Sequence, residues 1–254
     1  MAEKRSEDGG RPITSSTLQK MARDGDTIAS LTAYDASFAA LVDKAGTDLV
    51  LVGDSLGMVV QGHQTTVPVT VDDIVYHSAM VARGLTRAFL IADMPFLSFA
   101  TPEQALTNAA RLMQEGGAQM VKIEGQYGQA DIVERLVLSD VPVCAHIGLR
   151  PQTVHTLGGY RVFGKGAEAS DQLLKEALRF QEAGADMLLL ECVSSAAAAR
   201  VTAEVDVPVI GIGAGPDVDG QILVLYDVIG VTQGKLPRFA MNFAEAGRAP
   251  GDAV

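Results

Sequence analysis

A chain of 254 residues with 48% hydrophobic content can bury one large core, and its 31 acidic against 20 basic residues leave a formal charge of −11. That balance excludes nucleic acid and anionic membrane as partners, because both need a basic footprint. No apolar stretch approaches the ~20 residues of a membrane span, and the polar Met1–Pro12 segment has no apolar centre of the kind a secretory signal carries.

The chain opens on what reads as a loose tail over residues 1–13, and Thr14–Gly25 then has the pattern of a short helix. The first apolar run, Ile28–Asp35, ends in Thr32-Ala-Tyr-Asp35, and Ala36–Gly46 follows with Phe38, Leu41, Val42 and Ala45 at helical spacing. Asp48–Ser55 is a branched apolar run that stops on Gly53, Asp54 and Ser55, as a strand buried on both faces would. The long connection Leu56–Thr70 is expected to cover one end of the domain, since long loops in compact folds are usually functional. Thr70 and Asp73 have capping-box spacing ahead of a helix over Val71–Gly84. A third run, Ala88–Phe96, carries Asp93. Thr101 as N-cap, Pro102 at the first helical position, Gln104 as box partner and Gly116 as stop mark the next helix.

Gln119–Gly125 carries Lys122 and Glu124, a shorter helix spans Asp131–Ser139, and Val141–Leu149 carries His146. A second long segment, Arg150–Gly166, precedes an amphipathic helix over Ser170–Gly184. Asp186–Val193 carries Glu191, Ser194–Glu204 is an Ala-rich helix, Val207–Gly215 ends in glycines, and Ile222–Val228 carries Asp227. A last short helix is expected near Phe239–Ala246. Cys144 and Cys192 lie inside apolar runs and outside any metal spacing, as small buried thiols do in a reducing, cytoplasmic setting. No internal repeat is apparent beyond the alternation of strand and helix.

Eight apolar strands separated by helices, in a chain near the ~250 residues typical of such domains, predict a single α/β domain over residues 14–254: a closed (β/α)8 TIM barrel. Its strand exits would gather on one face, where barrels of this kind place their active sites. Asp54, Asp93 and Glu124 end the second, third and fourth strands, which are neighbours. Three uncompensated carboxylates would repel, and a hard cation such as Mg²⁺ with oxygen ligands resolves this. Lys122 shares a strand face with Glu124 and is suited to anchor a substrate carboxylate. Glu191, across the mouth, has the position of a general base. His146 is expected to orient substrate and not to bind metal. The glycines of Gly211-Ile-Gly-Ala-Gly215 are what a crowded mouth needs as much as a phosphate loop.

Leu31-Thr-Ala-Tyr-Asp35, Gly53-Asp-Ser-Leu-Gly57, Asp93-Met-Pro-Phe96, Val121-Lys-Ile-Glu-Gly125, His146-Ile-Gly-Leu149 with Pro151-Gln152, Leu157-Gly-Gly-Tyr160 and Gly211–Gly215 with Asp219-Gly-Gln221 together resemble the ketopantoate hydroxymethyltransferases. The resemblance runs from about Thr14 to about Phe243. It implies a barrel of the phosphoenolpyruvate/pyruvate type, a bound Mg²⁺, a homodecamer, and formation of ketopantoate through a stabilised enolate of α-ketoisovalerate with 5,10-methylenetetrahydrofolate as one-carbon donor. It places Asp54, Asp93 and Glu124 at metal positions, Asp54, Ser55, Asp93 and Lys122 at ketoacid positions, and Glu191 at the proton acceptor. Two departures stand out. Gln126 takes the place of a second glycine, and the family usually continues past this C-terminus with another helix. Two other readings are a lyase of the same barrel superfamily acting on another α-keto acid, and a barrel that binds ketoacid without turnover.

Overall fold

Side-chain parity along the strands decides what lies inside the barrel and what lies outside it. The computed structural model describes residues 10–125, 127–158, 161–233 and 235–244. Its strands are β1 (Ile28–Thr32), β2 (Leu49–Val52), β3 (Phe89–Asp93), β4 (Met120–Glu124), β5 (Val143–Gly148), β6 (Met187–Glu191), β7 (Val209–Ile212) and β8 (Gly220–Leu223). All pair in parallel with their sequence neighbours, and β8 closes on β1. Helices α1 (Ser15–Asp24), α2 (Ala36–Lys44), α3 (Leu56–Val59), α4 (Val71–Gly84), α5 (Pro102–Gln114), α6 (Ala130–Val137), α7 (Val154–Leu157), α8 (Ala167–Glu182), α9 (Ser195–Glu204) and α10 (Leu225–Val228) fill the connections.

One parity, including Val50, Leu90, Val121, Ala145 and Leu188, packs outward into a core shared with the helices. The other, including Ile28, Leu49, Phe89, Met120, Cys144 and Met187, fills the barrel interior. Leu18 of α1 and Ile13 just before it belong to that inner core, so the first helix plugs the base. Ile13 also donates its N–H to the Arg87 carbonyl, at 2.8 Å. Toward the strand ends the inward row turns polar, and Asp93, Lys122, Glu124, His146 and Glu191 all lie on it. The rest of the expected tail, Met1–Gly9, lies outside the described residues, as do Gln126, Gly159 and Tyr160.

The base is closed by a repeated clasp. Asp48 accepts a hydrogen bond from Ala29 N (3.0 Å), Gln119 from Leu90 N (3.0 Å), Asp186 from Val143 N (3.0 Å) and Asp219 from Val209 N (2.8 Å). Each acceptor immediately precedes an even-numbered strand, and each donor is the first or second residue of the odd-numbered strand before it. In three of the four, a glycine in the left-handed region ends the preceding helix two residues earlier: Gly46 (φ 94°), Gly117 (φ 75°) and Gly184 (φ 93°). The described residues therefore do contain a repeat beyond strand–helix alternation, one acceptor per pair of strands.

Several sequence expectations change. The first strand ends at Thr32, and Asp35 is not a mouth carboxylate: it caps α2, accepting from Ser37 N and Phe38 N. The last strand is Gly220–Leu223, two residues earlier than its apolar run suggests, and Asp227 sits in the helical turn α10 with its carboxylate on the Thr232 hydroxyl at 2.7 Å. A short apolar run does not distinguish a strand from a buried helical turn. The Gln104 side chain bonds Ala100 N (3.0 Å), so it reaches one residue beyond the expected box. By contrast, Thr70 and Asp73 form both arms of theirs. The long connection after β2 begins with the turn α3, and the one after β5 contains a 3-10 turn, Pro151–Thr153, and α7. Residues 235–244 hold no helix, and Glu245 and Ala246 of the expected last one lie outside the described residues. Cys144 is buried and Cys192 half-buried, both as free thiols.

Candidate active site

The inward row of β3, β4, β5 and β6 brings four charged or polar pairs into one buried cluster. Lys122 Nζ lies 2.5 Å from Asp93 Oδ1 and 3.2 Å from His146 Nδ1. His146 continues the chain, its Nδ1 3.7 Å from Glu124 Oε1 and its Nε2 3.4 Å from Glu191 Oε2. The ends of β2 and β3 are joined by Asp54 N donating to Asp93 Oδ2 at 3.0 Å. Asp54, Asp93, Lys122, Glu124 and His146 are all buried, whereas the Glu191 side chain keeps 14% of its surface exposed.

Burial and mutual repulsion set the electrostatics. Burial first, then the neighbouring Asp93 charge, pushes Asp54 up to about 7. Burial, then Asp54, holds Glu124 well above the usual carboxylate range, and burial likewise raises Asp93. Burial works against the Lys122 ammonium, but Asp93, Glu124 and Asp54 outweigh it and hold its pKa above the ordinary lysine value. Burial, and then the Lys122 charge, keeps His146 far below its usual pKa, so the imidazole is neutral. An ammonium can only donate, so the His146 Nδ1 facing it is the acceptor and Nε2 carries the proton. Burial pushes Glu191 up to about 8.

Ser55 stands beside the cluster rather than in it. Its hydroxyl meets the phenol of fully buried Tyr34 at 2.8 Å. Burial raises the Tyr34 pKa, which keeps the phenol a neutral hydrogen-bonding group. From the long connection after β2, buried Thr66 brings its hydroxyl beside Asp54 without closing a bond of regular geometry. Gly148 ends β5 at φ 90°, where an added Cβ would meet the Glu191 carbonyl at 2.5 Å; only glycine lets the two strand ends approach so closely.

Sequence reasoning singled out Asp54, Asp93, Lys122, Glu124, His146 and Glu191, and the structure brings all six together. It gave no role to Tyr34 or to Gln152, which touches the cluster from the 3-10 turn after β5. Neither falls in a periodic pattern. The signals available were an aromatic hydroxyl and an amide, each just past the polar end of an apolar run.

The acids suit a hard divalent cation. Their donors are all oxygen, they sit on or just past the ends of three adjacent strands, and the Oε1 of Glu124 is buried without a hydrogen-bond partner. Among the described residues no group of three or more His, Cys, Asp or Glu side chains is placed to hold a metal ion by itself. Mg²⁺ asks for less, since it binds through one or two carboxylates and completes its shell with waters or substrate oxygens.

In backbone the barrel is similar to 2,3-dimethylmalate lyase, a member of the phosphoenolpyruvate mutase/isocitrate lyase superfamily (TM-score 0.62, 16% identity, 85% of this chain and 82% of that one). It is also similar to phosphoenolpyruvate phosphomutase from Streptomyces platensis subsp. rosaceus (TM-score 0.65, 14% identity, 86% and 83%). At these identities the likeness is one of fold. Sequence is more specific. The chain is 58% identical to the 3-methyl-2-oxobutanoate hydroxymethyltransferase of Alkalilimnicola ehrlichii, over 92% of this chain and 84% of the relative. It is 55% identical to that of Nitrosococcus oceani, over 92% and 88%. Residues 12–254 match the family model of ketopantoate hydroxymethyltransferase, and the chain belongs to that family.

Proposed function

We propose that this chain transfers a hydroxymethyl group from 5,10-methylenetetrahydrofolate to 3-methyl-2-oxobutanoate (α-ketoisovalerate), forming 2-dehydropantoate (ketopantoate) for pantothenate and coenzyme A synthesis. The observation that carries this reading is the buried row running from Asp54 and Asp93 through Lys122 and His146 to Glu191. In this reading Asp54 and Asp93 belong to a cation-binding group and Glu191 is a carboxylate base across the mouth from it. Asp54, Asp93 and Glu124 would hold Mg²⁺, which supplies Lewis acidity at the keto oxygen of a chelating α-keto acid.

The chain's own residues do the rest. Lys122 neutralises the ketoacid carboxylate, with Asp54, Ser55 and Asp93 around it, and the Tyr34 phenol fixes the Ser55 hydroxyl. Glu191, less buried than its neighbours and with a pKa raised into the range of a general base, removes the proton from C3. The carbon so freed forms its new bond to the one-carbon unit, water supplies the hydroxyl, and tetrahydrofolate leaves. The His146 imidazole stands against the Glu191 carboxylate, its Nε2 3.4 Å from Oε2 without a hydrogen bond of regular geometry. The homodecamer and a cytoplasmic location are part of the same proposal. No helix among the described residues is long and apolar enough to cross a membrane.

The test is formation of ketopantoate from the two substrates, with and without EDTA. Product that depends on folate and vanishes with EDTA supports the reading. A ketoacid consumed without folate would favour the lyase, and no consumption would favour a binding protein.

A further inference from the structure

Gln152 touches the ends of β2, β3 and β4 together. Its side-chain amide Nε2 donates to Asp54 Oδ2 at 2.9 Å and to the carbonyl of Met94, the residue after β3, at 3.0 Å. Its backbone N–H donates to Glu124 Oε2 at 3.0 Å. The residue is buried, and it is presented by the 3-10 turn Pro151–Thr153, where Thr153 bonds the Arg150 carbonyl through both its N–H and its hydroxyl. The turn is therefore fixed on both sides of the amide.

From this geometry we infer that Gln152 is the positioning residue of the divalent-cation site, orienting the Asp54 and Glu124 carboxylates so that their remaining oxygens face the ion. The inference rests on the cation site proposed above. A carboxylate oxygen that already accepts a fixed hydrogen bond is held in rotation, and its partner oxygen is left for the metal. At Glu124 the division is visible: Oε2 is taken by the Gln152 backbone, and Oε1 is buried and unpartnered. At Asp54 the side-chain amide does the same for Oδ2. Because one amide also grips Met94 O, a rotation of Asp54 cannot occur without disturbing the exit of β3, where Asp93 lies. Outer partners of this kind typically change metal affinity ~10–100-fold when removed.

The Gln152 side chain and its backbone can be separated by mutation. Gln152→Met keeps the length and bulk, and leaves the backbone bond to Glu124, but removes both side-chain bonds. Gln152→Glu keeps length and replaces the donor facing Asp54 with a charged acceptor. Mn²⁺ binding to the whole protein, measured by the loss of the free-ion electron paramagnetic resonance signal and by calorimetry, reads the site without any need for turnover. The expected result is a Kd raised ~10–100-fold in Gln152→Met, with the far-ultraviolet circular dichroism retained. Gln152→Glu should also bind more weakly than the wild type, although it adds negative charge; tighter binding there would mean that charge alone governs the site, and would overturn the inference.

Asp93→Asn is the control. If it loses Mn²⁺ while Gln152→Met binds like the wild type, the cation site stands and the role of Gln152 falls. If the wild type itself binds no Mn²⁺, the cation site falls and the inference with it. A lowered melting temperature in Gln152→Met with unchanged Kd would assign the residue a structural role only and would also overturn the inference.

Discussion

His146 Nε2 lies 3.4 Å from Glu191 Oε2, on the far side of the imidazole from Lys122. With Nδ1 committed as acceptor to the ammonium, the Nε2 proton faces the carboxylate. The pair closes no hydrogen bond of regular geometry, but a donor at that distance still favours the ionised form of Glu191, against the burial that pushes it up to about 8. A base must be deprotonated to work, so exchange of the substrate C3 proton with solvent deuterium is expected to rise with pH and level off above about 8. In His146→Leu the donor is gone, and the midpoint should move upward by about 1 unit. An unmoved midpoint, read by proton magnetic resonance across a pH series, would remove His146 from this role.

Glu191→Gln should keep ketoacid binding, since the amide has the same size and half of its polar surface. Deuterium exchange should fall by roughly 10²–10⁴-fold, the usual contribution of a positioned base. Binding by calorimetry together with exchange at the wild-type rate would place the base elsewhere.

Asp93 is at the mouth of the barrel and yet buried, paired with Lys122 and accepting from Asp54 N. Asp93→Ala leaves a buried ammonium short of its nearest partner and should cost about 3 kcal/mol of stability. Asp93→Asn fills the same space and should melt closer to the wild type. Both should lose turnover. Thermal melting and a product assay on the pair separate the fold from the chemistry, and activity retained in Asp93→Asn would argue against the assignment.

How much of this was legible in sequence differs by kind of signal. Asp93, Lys122, Glu124, His146 and Glu191 are single polar interruptions of apolar strands, and the alternation of two puts them all on the inward face. That made both barrel and site readable. Asp35 and Asp227 looked the same in sequence, but one is taken by a helix N-terminus and the other by a helical turn, and neither competition shows in hydrophobic pattern. Gln152 was hidden because its contacts lie 28 to 98 positions away and depend on how a 3-10 turn folds back. The basal clasp escaped because Asp and Gln do the same work at equivalent places, so the repeat is one of hydrogen-bonding function more than of residue identity.

At the opposite end of the barrel, Asp43 accepts bonds from Thr86 N, Thr86 Oγ1, Arg87 N and Ala88 N, tying the end of α2 to the approach of β3. Burial opposes its charge, but these donors outweigh burial and lower its pKa. The stabilisation is therefore present above the unfolded-state value near ~3.9 and is lost as pH falls through the lower folded value. Asp43→Asn should be less stable than the wild type by about 2 kcal/mol at neutral pH, and the gap should close toward acid. Denaturant unfolding at pH 7 and pH 3 measures it, and a gap that does not shrink would show that these bonds do not act through the ionised carboxylate.

The partners of the four basal clasps are only 19, 29, 43 and 10 positions apart along the chain. The barrel can thus be cut and rejoined along its own grain. New termini placed at Ser139–Asp140, between one clasped pair of strands and the next, leave every clasp between sequence neighbours. Termini placed at Gly116–Gly117 send Leu90 and Gln119 to opposite ends of the polypeptide and turn a nearby contact into one of the most distant in the molecule. Non-local closure slows folding, so the first circular permutant should refold at a rate close to the parent and the second markedly more slowly. Stopped-flow refolding of the two would show whether the barrel is laid down two strands at a time.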